Sequence, residues 1–450
     1  MMATPHTPGT GVSAPVHRYA AAISSQFPKI NRIRDIESAI SSRHRLDCLP
    51  VNQSNQALKD SYLEFRVNGI QGQFLDIASL ALELDLSLTK TDGATPLGDD
   101  DYAILAEGAA MATLFKNITV FLNEKMVESN STFAVWGLIK AFTSLRPDQL
   151  ETIGRNGGLY NKSDTPSTFT EETFKTANAP AGAEAALTRG GKSINLCTPV
   201  MLDIASIDAF LLDMVDVRLR FELGPHSFVI NSDKVDRQYQ YVINSARLWV
   251  DRIIPFPSAL KALNQSMSDT NELVEYIYNR TLQKSYILGV NQTSLTADLL
   301  WSQVIPRRLY VVIVDLEALT GKYNSNGVYF QHGDLSNVTV AINSSPLYQI
   351  SSDFKNNKFS CLYYETLKAL GLEQSHLLTR DAFKNGRAVL VFSFDGSEEG
   401  TLSKELSGNL RVTLDFGVPQ DKNRCILFFG ESTGVIRIDA KRTVSCDVRA

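Results

Sequence analysis

Hydrophobic residues recur at every second position through much of the chain. Leu80, Leu82, Leu84, Leu86 and Leu88 alternate with Ala81, Glu83, Asp85 and Ser87. Successive side chains of a strand point to opposite faces, so this spacing places five leucines on one buried face; a helix would scatter them. Val217, Leu219, Phe221 and Leu223 alternate with Arg218, Arg220 and Glu222. Leu410, Val412, Leu414 and Phe416 alternate with Arg411, Thr413 and Asp415. One dry and one wet face is the pattern of antiparallel sheets packed as a sandwich. Helical spacing is rare. Val135, Leu138, Ile139 and Phe142 predict a short amphipathic helix, Phe359, Leu362, Tyr363, Leu367 and Leu370 a second, and Glu272 to Leu282 a third.

The two halves repeat one order of elements. The segment NITVFLN starts at Asn117, and NVTVAIN starts at Asn337. A helix follows each, at LIKAF around Lys140 and TLKAL around Lys368. A charged strand ending in glycine then closes each half, LRFELG at Gly224 and VTLDFG at Gly417. Each match is weak alone; three in order predict a duplication. The first copy is longer, and the polar, Gly/Thr/Ala-rich stretch from Arg155 to Lys192 reads as a long surface loop outside the sandwich. The strands are too many, and the helices between them too few, for an α/β architecture.

The expected fold is therefore all-β, two tandem sandwich domains with a few short helices. Residues 1–55 form an N-terminal arm, residues 56–235 the first sandwich with its long loop at 155–192, and residues 236–450 the second. The break is expected between Asp233 and Gln240. The first fifty residues carry +3 against −8 for the rest, giving the net charge of −5, and include Pro5, Pro8, Pro15 and Pro28. Phe27, Ile30, Ile33, Ile36 and Ile40 could still make one helix against a partner surface, so the arm is expected to dock on a neighbouring subunit. A loose tail with no role is the alternative.

With 450 residues and 44% apolar composition, the chain can bury real cores. Its acidic balance argues against coating nucleic acid by charge. Five scattered cysteines, Cys48, Cys197, Cys361, Cys425 and Cys446, show no CxxC spacing, which argues against a disulfide framework and a zinc ribbon. No secretion signal and no run of about 18 apolar residues is evident.

Catalytic and binding motifs do not assemble. The six histidines, His6, His17, His44, His226, His332 and His376, are isolated and match no ligand spacing, so no metal or cofactor is expected. RGGKS at Arg189 to Ser193 lacks the spacing of a phosphate loop and reads as a loop. Asp99, Asp100 and Asp101 could gather calcium but lack an EF-hand spacing; a solvated connection is the plainer reading. Trp136, Trp249 and Trp301 lie in apolar patterned segments, where core packing competes with sugar stacking. No catalytic, cofactor-binding or metal residues are assigned, and no enzymatic activity is expected.

Taken in order, the segments resemble those of hexon-like, double jelly-roll major capsid proteins of Polinton/Maverick elements and adintoviruses. The resemblance rests on SYLEFRVNG at Ser61, QFLDIASLALELDLSLTKTDG ending at Gly93, LFKNITVFLNEKMV from Leu114 and FLLDMVDVRLRFEL from Phe210. It continues in IPRRLYVVIVDLEALTGKYNSN from Ile305, NGRAVLVFSFD from Asn385 and GNLRVTLDFGVP from Gly408. Where the family has an Asn-Pro-Phe-like segment, this chain reads SNGVYF from Ser325. The resemblance implies two eight-stranded jelly rolls and homotrimeric, pseudo-hexagonal capsomers in an icosahedral shell. It further implies contacts with penton or minor capsid proteins, and double-stranded DNA met only indirectly. The virion is the implied location. A lectin-like carbohydrate-binding jelly roll is the alternative from a second class, and a sandwich-fold glycoside hydrolase a third.

Overall fold

The computed structural model describes residues 39–52, 61–159, 166–175, 180–236, 238–270, 273–371, 376–394 and 407–446. Eight strands build the first domain: β1 (Ile40–Cys48), β2 (Tyr62–Val67), β3 (Phe74–Lys90), β4 (Phe115–Leu122), β5 (Lys125–Asn130), β6 (Ser193–Pro199), β7 (Val217–Leu223) and β8 (Tyr239–Pro255). Eight more build the second: β9 (Val274–Leu288), β10 (Ser294–Val304), β11 (Arg308–Asp315), β12 (Leu335–Ile342), β13 (Ser345–Ser351), β14 (Leu390–Ser393), β15 (Ser407–Phe416) and β16 (Arg424–Ile438). The first set forms two antiparallel sheets in the orders β1-β8-β3-β6 and β2-β7-β4-β5, and the second set repeats them as β9-β16-β11-β14 and β10-β15-β12-β13. Counted within each domain, both orders are 1-8-3-6 and 2-7-4-5. That is the double Greek-key arrangement of a jelly roll, and the chain contains it twice.

The alternating leucines do what their period demands. Leu80, Leu82, Leu84, Leu86 and Leu88 are all buried in the first core. Leu82 lies opposite Leu248 and Leu84 opposite Ala246 on β8. The repeated segments NITVFLN and NVTVAIN are β4 and β12 with the start of each following hairpin turn. Each turn holds two residues at positive φ, Asn123 (43°) with Glu124 (66°), and Asn343 (50°) with Ser344 (68°). A two-residue hairpin loop needs this left-handed pair, and asparagine tolerates it well.

Three expectations change. The break between the domains falls after Pro255, not at residue 235. The strand from Tyr239 pairs with β3 along most of its length and completes the first roll. A helix, α4 (Pro257–Thr270), then connects to the second roll. The helix expected over Glu272 to Leu282 is the strand β9, in which Tyr276 and Tyr278, opposite Ile436 and Gly434, are buried facing the first roll. Tyrosine and β-branched residues suit a half-buried pleat, and β16 supplies the partner. The arm of residues 1–55 contains β1, an edge strand paired antiparallel with β8. Its sequence, ISSRHRLDC, is polar on both faces and hides the period. Phe27, Ile30, Ile33 and Ile36 lie outside the described residues.

The stretch 155–192 also differs from a bare surface loop. It carries two short helices, α2 (Glu171–Lys175) and α3 (Pro180–Thr188). Phe169, Phe174, Ala185 and Ile104 form a small buried cluster with Tyr102 packed against it. Phe169 N–H donates to the Asn324 carbonyl at 2.8 Å, and Asn326 N–H to the Ser167 carbonyl at 2.9 Å. A few aromatics, invisible against the Gly/Thr/Ala background, thus fix the segment on the first roll, and two backbone hydrogen bonds tie it to the second.

Candidate functional site: the junction between the rolls

The helix α1 (Phe133–Ser144) decides how the rolls meet. Its sequence reads as amphipathic, yet residues on every side are buried, including Phe133, Val135, Trp136, Leu138, Ile139 and Phe142. The reason lies on the second roll. In β11, Leu309, Val311 and Ile313 face that roll's own core, while Tyr310, Val312 and Val314 join the cluster that belongs to the first roll. In β16, Ile426 and Phe428 face inward, and Cys425, Leu427 and Phe429 face the first roll. A sheet covered on both faces reads as a continuous apolar run, which is why LYVVIV and CILFF do not alternate.

Trp136 is the centre of this contact. Its ring stacks on Phe429 (5.1 Å, 23°) and meets Tyr310 edge-on (5.1 Å, 77°). Its indole N–H donates to Asp203 Oδ1 at 3.1 Å. Asp203 also accepts from Lys140 Nζ and, through Oδ2, from the Thr281 N–H of β9 at 2.8 Å. Beside it, Glu128 is fully buried and accepts the N–H groups of Asp203 and Ile204, both at 2.9 Å. Burial first, and the neighbouring Asp203 carboxylate second, push the Glu128 carboxyl up to about 7, against the pull of Lys140 and the two N–H donors.

Further polar ties cross the junction. Arg387 of the second roll pairs with Glu107 of the first at 2.6 Å, both nearly sealed from solvent, and its guanidinium lies 4.3 Å from the Phe142 ring centroid. Arg442 pairs with Asp213, and its Nε donates to the Asp213 carbonyl at 2.9 Å. Tyr278 O–H donates to the Val127 carbonyl at 3.1 Å, and Leu212 N–H donates to Tyr276 O–H at 3.0 Å. Buried ion pairs with hydrogen-bonded partners resist separation, because parting them strands a charge in an apolar setting.

The residues weighed as chemical candidates take structural places. His226 packs against Tyr241 with ring centroids 4.5 Å apart. His332 stacks on Phe354 at 4.2 Å and accepts the Asp334 N–H; burial lowers its pKa. His44 lies exposed on β1, and His376 is buried. His6 and His17 lie outside the described residues. Asp101 accepts from Lys90 Nζ (2.6 Å), Gly98 N–H (2.7 Å) and Tyr239 O–H (3.0 Å), so it braces a loop. Gly190 and Gly191 turn the chain with φ of 69° and 74°, and Arg189 covers the Tyr102 ring at 4.8 Å. Among the described residues, no group of three or more His, Cys, Asp or Glu is placed to hold a metal ion. All five cysteines are free thiols. No helix among the described residues is long and apolar enough to cross a membrane.

Of the tryptophans, Trp136 and Trp301 are core residues, but Trp249 is not. It projects from the wet face of β8, donates through Nε1 to Glu83 Oε2 at 2.8 Å, and lies under the Arg45 guanidinium at 5.5 Å. The junction itself was hidden from sequence reasoning. The only signal was the loss of alternation in β11 and β16.

The strand orders and the side-by-side packing define a double jelly-roll protein. Solved structures carry the same fold over nearly the whole chain. A chain of the Sputnik virophage is 10% identical with a TM-score of 0.61, covering 99% of this chain and 94% of its own. The Faustovirus major capsid protein is 9% identical with a TM-score of 0.55, covering 92% and 93%. The mavirus major capsid protein is 12% identical with a TM-score of 0.53, covering 99% and 97%. An uncharacterized protein of Caenorhabditis elegans is 19% identical over 332 residues, 71% of this chain and 76% of its own. No family model matches.

Proposed function

We propose that this chain is a major capsid protein that self-assembles into a viral shell and catalyses no reaction. The single observation that carries the reading is the tandem pair of jelly rolls of identical strand order, locked side by side by a dry junction. Such a pair is a rigid brick with two similar ends. Three copies arranged around an axis would present six rolls and a near-hexagonal outline, which tiles a flat facet. The likeness to solved capsid proteins over almost the full length supports the same reading, and the quoted sequence segments support a Polinton/Maverick or adintovirus relationship. Penton or minor capsid proteins would be the further partners, and the virion the place of action. The arm upstream of β1 would dock at the inner side of the shell, where its positive charge is tolerated near packaged DNA.

Negative-stain microscopy of the purified chain tests this. Trimers with a near-hexagonal outline, or closed shells, are expected. Interfaces that hold a shell should exceed about 1,000 Å² each. A chain that remains monomeric at micromolar concentration overturns the proposal, and a monomer that binds sugars would put the lectin reading in its place.

A further inference from the structure

A polar cavity of about 430 Å³ opens at one end of the second roll. It lies between the end of β11, the loop from Ser325 to Asp334 ahead of β12, the short helix Arg380–Lys384 and the loop from Val418 to β16. Ser167 and Thr168 of the first roll's long segment form one wall. Asp315, Asp334 and Asp421 line the cavity with Lys384, Lys422 and Arg424, so the formal charges balance, but they are not equally engaged. Asp315 accepts the Glu317 N–H at 3.0 Å and lies 3.4 Å from Lys422 Nζ. The Arg424 side chain is only 10% exposed; it donates to Gln331 and, at 2.7 Å, to Asp421, a carboxylate 69% exposed and screened by water. Arg424 Nε–H is buried without a hydrogen-bond partner. Lys384 Nζ donates to a neutral group, the Asn357 side-chain oxygen. His332, held by its stack on Phe354, accepts the Asp334 N–H on Nδ1, which leaves Nε2–H as the ring donor. Burial is the main cause of its lowered pKa; Asp334 opposes the shift, and Lys384 and Arg424 add to it, so both cations lie within electrostatic reach of the imidazole.

We propose that this cavity holds the phosphate group of a small, hydroxyl-bearing phosphomonoester, bound by Lys384, His332 and Arg424. Two cations and a neutral N–H donor suit a phosphate, whose oxygens accept charge-assisted hydrogen bonds. The dianion supplies the negative partner that Lys384 lacks and that Arg424 has only in a water-screened form. A phosphate displaces only a few waters of about 30 Å³ each, so most of the cavity is left for the rest of the molecule. Ser167, Thr168 and Ser325 line that remainder and offer hydroxyls to an alcohol-bearing body. Thr168 bridges to Ser325, and Asn326 N–H donates to the Ser167 carbonyl at 2.9 Å. The ligand therefore also fastens the first roll's long segment to the second roll. The site is complete within one chain and needs no second copy.

Calorimetric titration of the full chain with glycerol 3-phosphate, inorganic phosphate and glycerol tests this. Glycerol 3-phosphate should bind and raise the melting temperature, inorganic phosphate should bind more than about tenfold more weakly, and glycerol should not bind. Lys384→Met should weaken glycerol 3-phosphate binding by more than about tenfold. Lys116→Met, which removes the same charge from β4 outside the cavity, should leave that binding unchanged. Melting each variant without ligand checks that it folds, and Lys384→Gln stands in if the methionine variant does not. The His332 titration followed by NMR, its signal assigned with His332→Gln, is the second measurement. Bound glycerol 3-phosphate should raise the His332 pKa, because a nearby negative charge favours the imidazolium. No binding of either phosphate at millimolar concentration, equal weakening by both lysine variants, or an unmoved His332 titration overturns the site. Inorganic phosphate that binds as tightly as the ester overturns the ester in favour of the free ion, and glycerol that binds as tightly overturns the phosphate.

Discussion

Two tryptophans of the first roll, Trp136 on the helix α1 and Trp249 on the strand β8, differ in what covers them. Trp136 is sealed between the rolls against Phe429 and Tyr310, with its N–H bonded to Asp203. Trp249 stands on an open sheet face among charges, with its N–H bonded to Glu83. The difference teaches that like residues of one roll take their surroundings from what the other roll lays over them.

That contrast can be broken by substitution. Trp136→Ala should destabilise the folded chain by about 3–5 kcal/mol, because it empties a packed site at the junction. Trp249→Ala, at the other extreme, should cost less than about 1 kcal/mol in the separated chain, since its site is open to water. Chemical denaturation of both variants measures the difference; equal effects would mean that the two faces are covered alike. Between these, Arg387→Met should cost about 3 kcal/mol by removing the guanidinium that balances the charge of buried Glu107. Adding Glu107→Leu should recover much of that loss, because two apolar groups replace a stranded charge. If the double variant is no more stable than Arg387→Met, the pair does more than satisfy itself.

Acidity gives a smaller effect. The folded chain holds the Glu128 proton up to about pH 7, while an unfolded chain releases it near 4.5. The folded state therefore binds more protons between those values. The stability that Glu128 contributes is complete below about pH 4.5 and is lost as pH rises through about 7, an effect of at most about 3 kcal/mol. Glu128→Gln should flatten this part of the stability–pH curve between pH 5 and 8. Unfolding midpoints collected across that range would show it, and an unchanged slope would place the titration elsewhere.

Several features were legible in the sequence. The period-two leucines of β3, the charged alternation of β7 and β15, and the paired segments at Asn117 and Asn337 sufficed for two β-sandwich domains of one plan. They sufficed because a strand with one wet face must alternate, and a repeated hairpin must repeat its turn residues. The polar edge strand β1 and the aromatic-rich β9 were misread, since an edge has no second partner to impose a period. The dry junction was also illegible. Whether Tyr310 and Phe429 face solvent or another domain depends on what lies across from them, and the helix α1 that covers them belongs to the other roll. The sequence by itself determined the strands and their doubling, because each pleat buries its own face locally. Only the tertiary structure decided where the first roll ends, which outer face is dry and which stays open, because those outcomes depend on contacts between residues hundreds of positions apart.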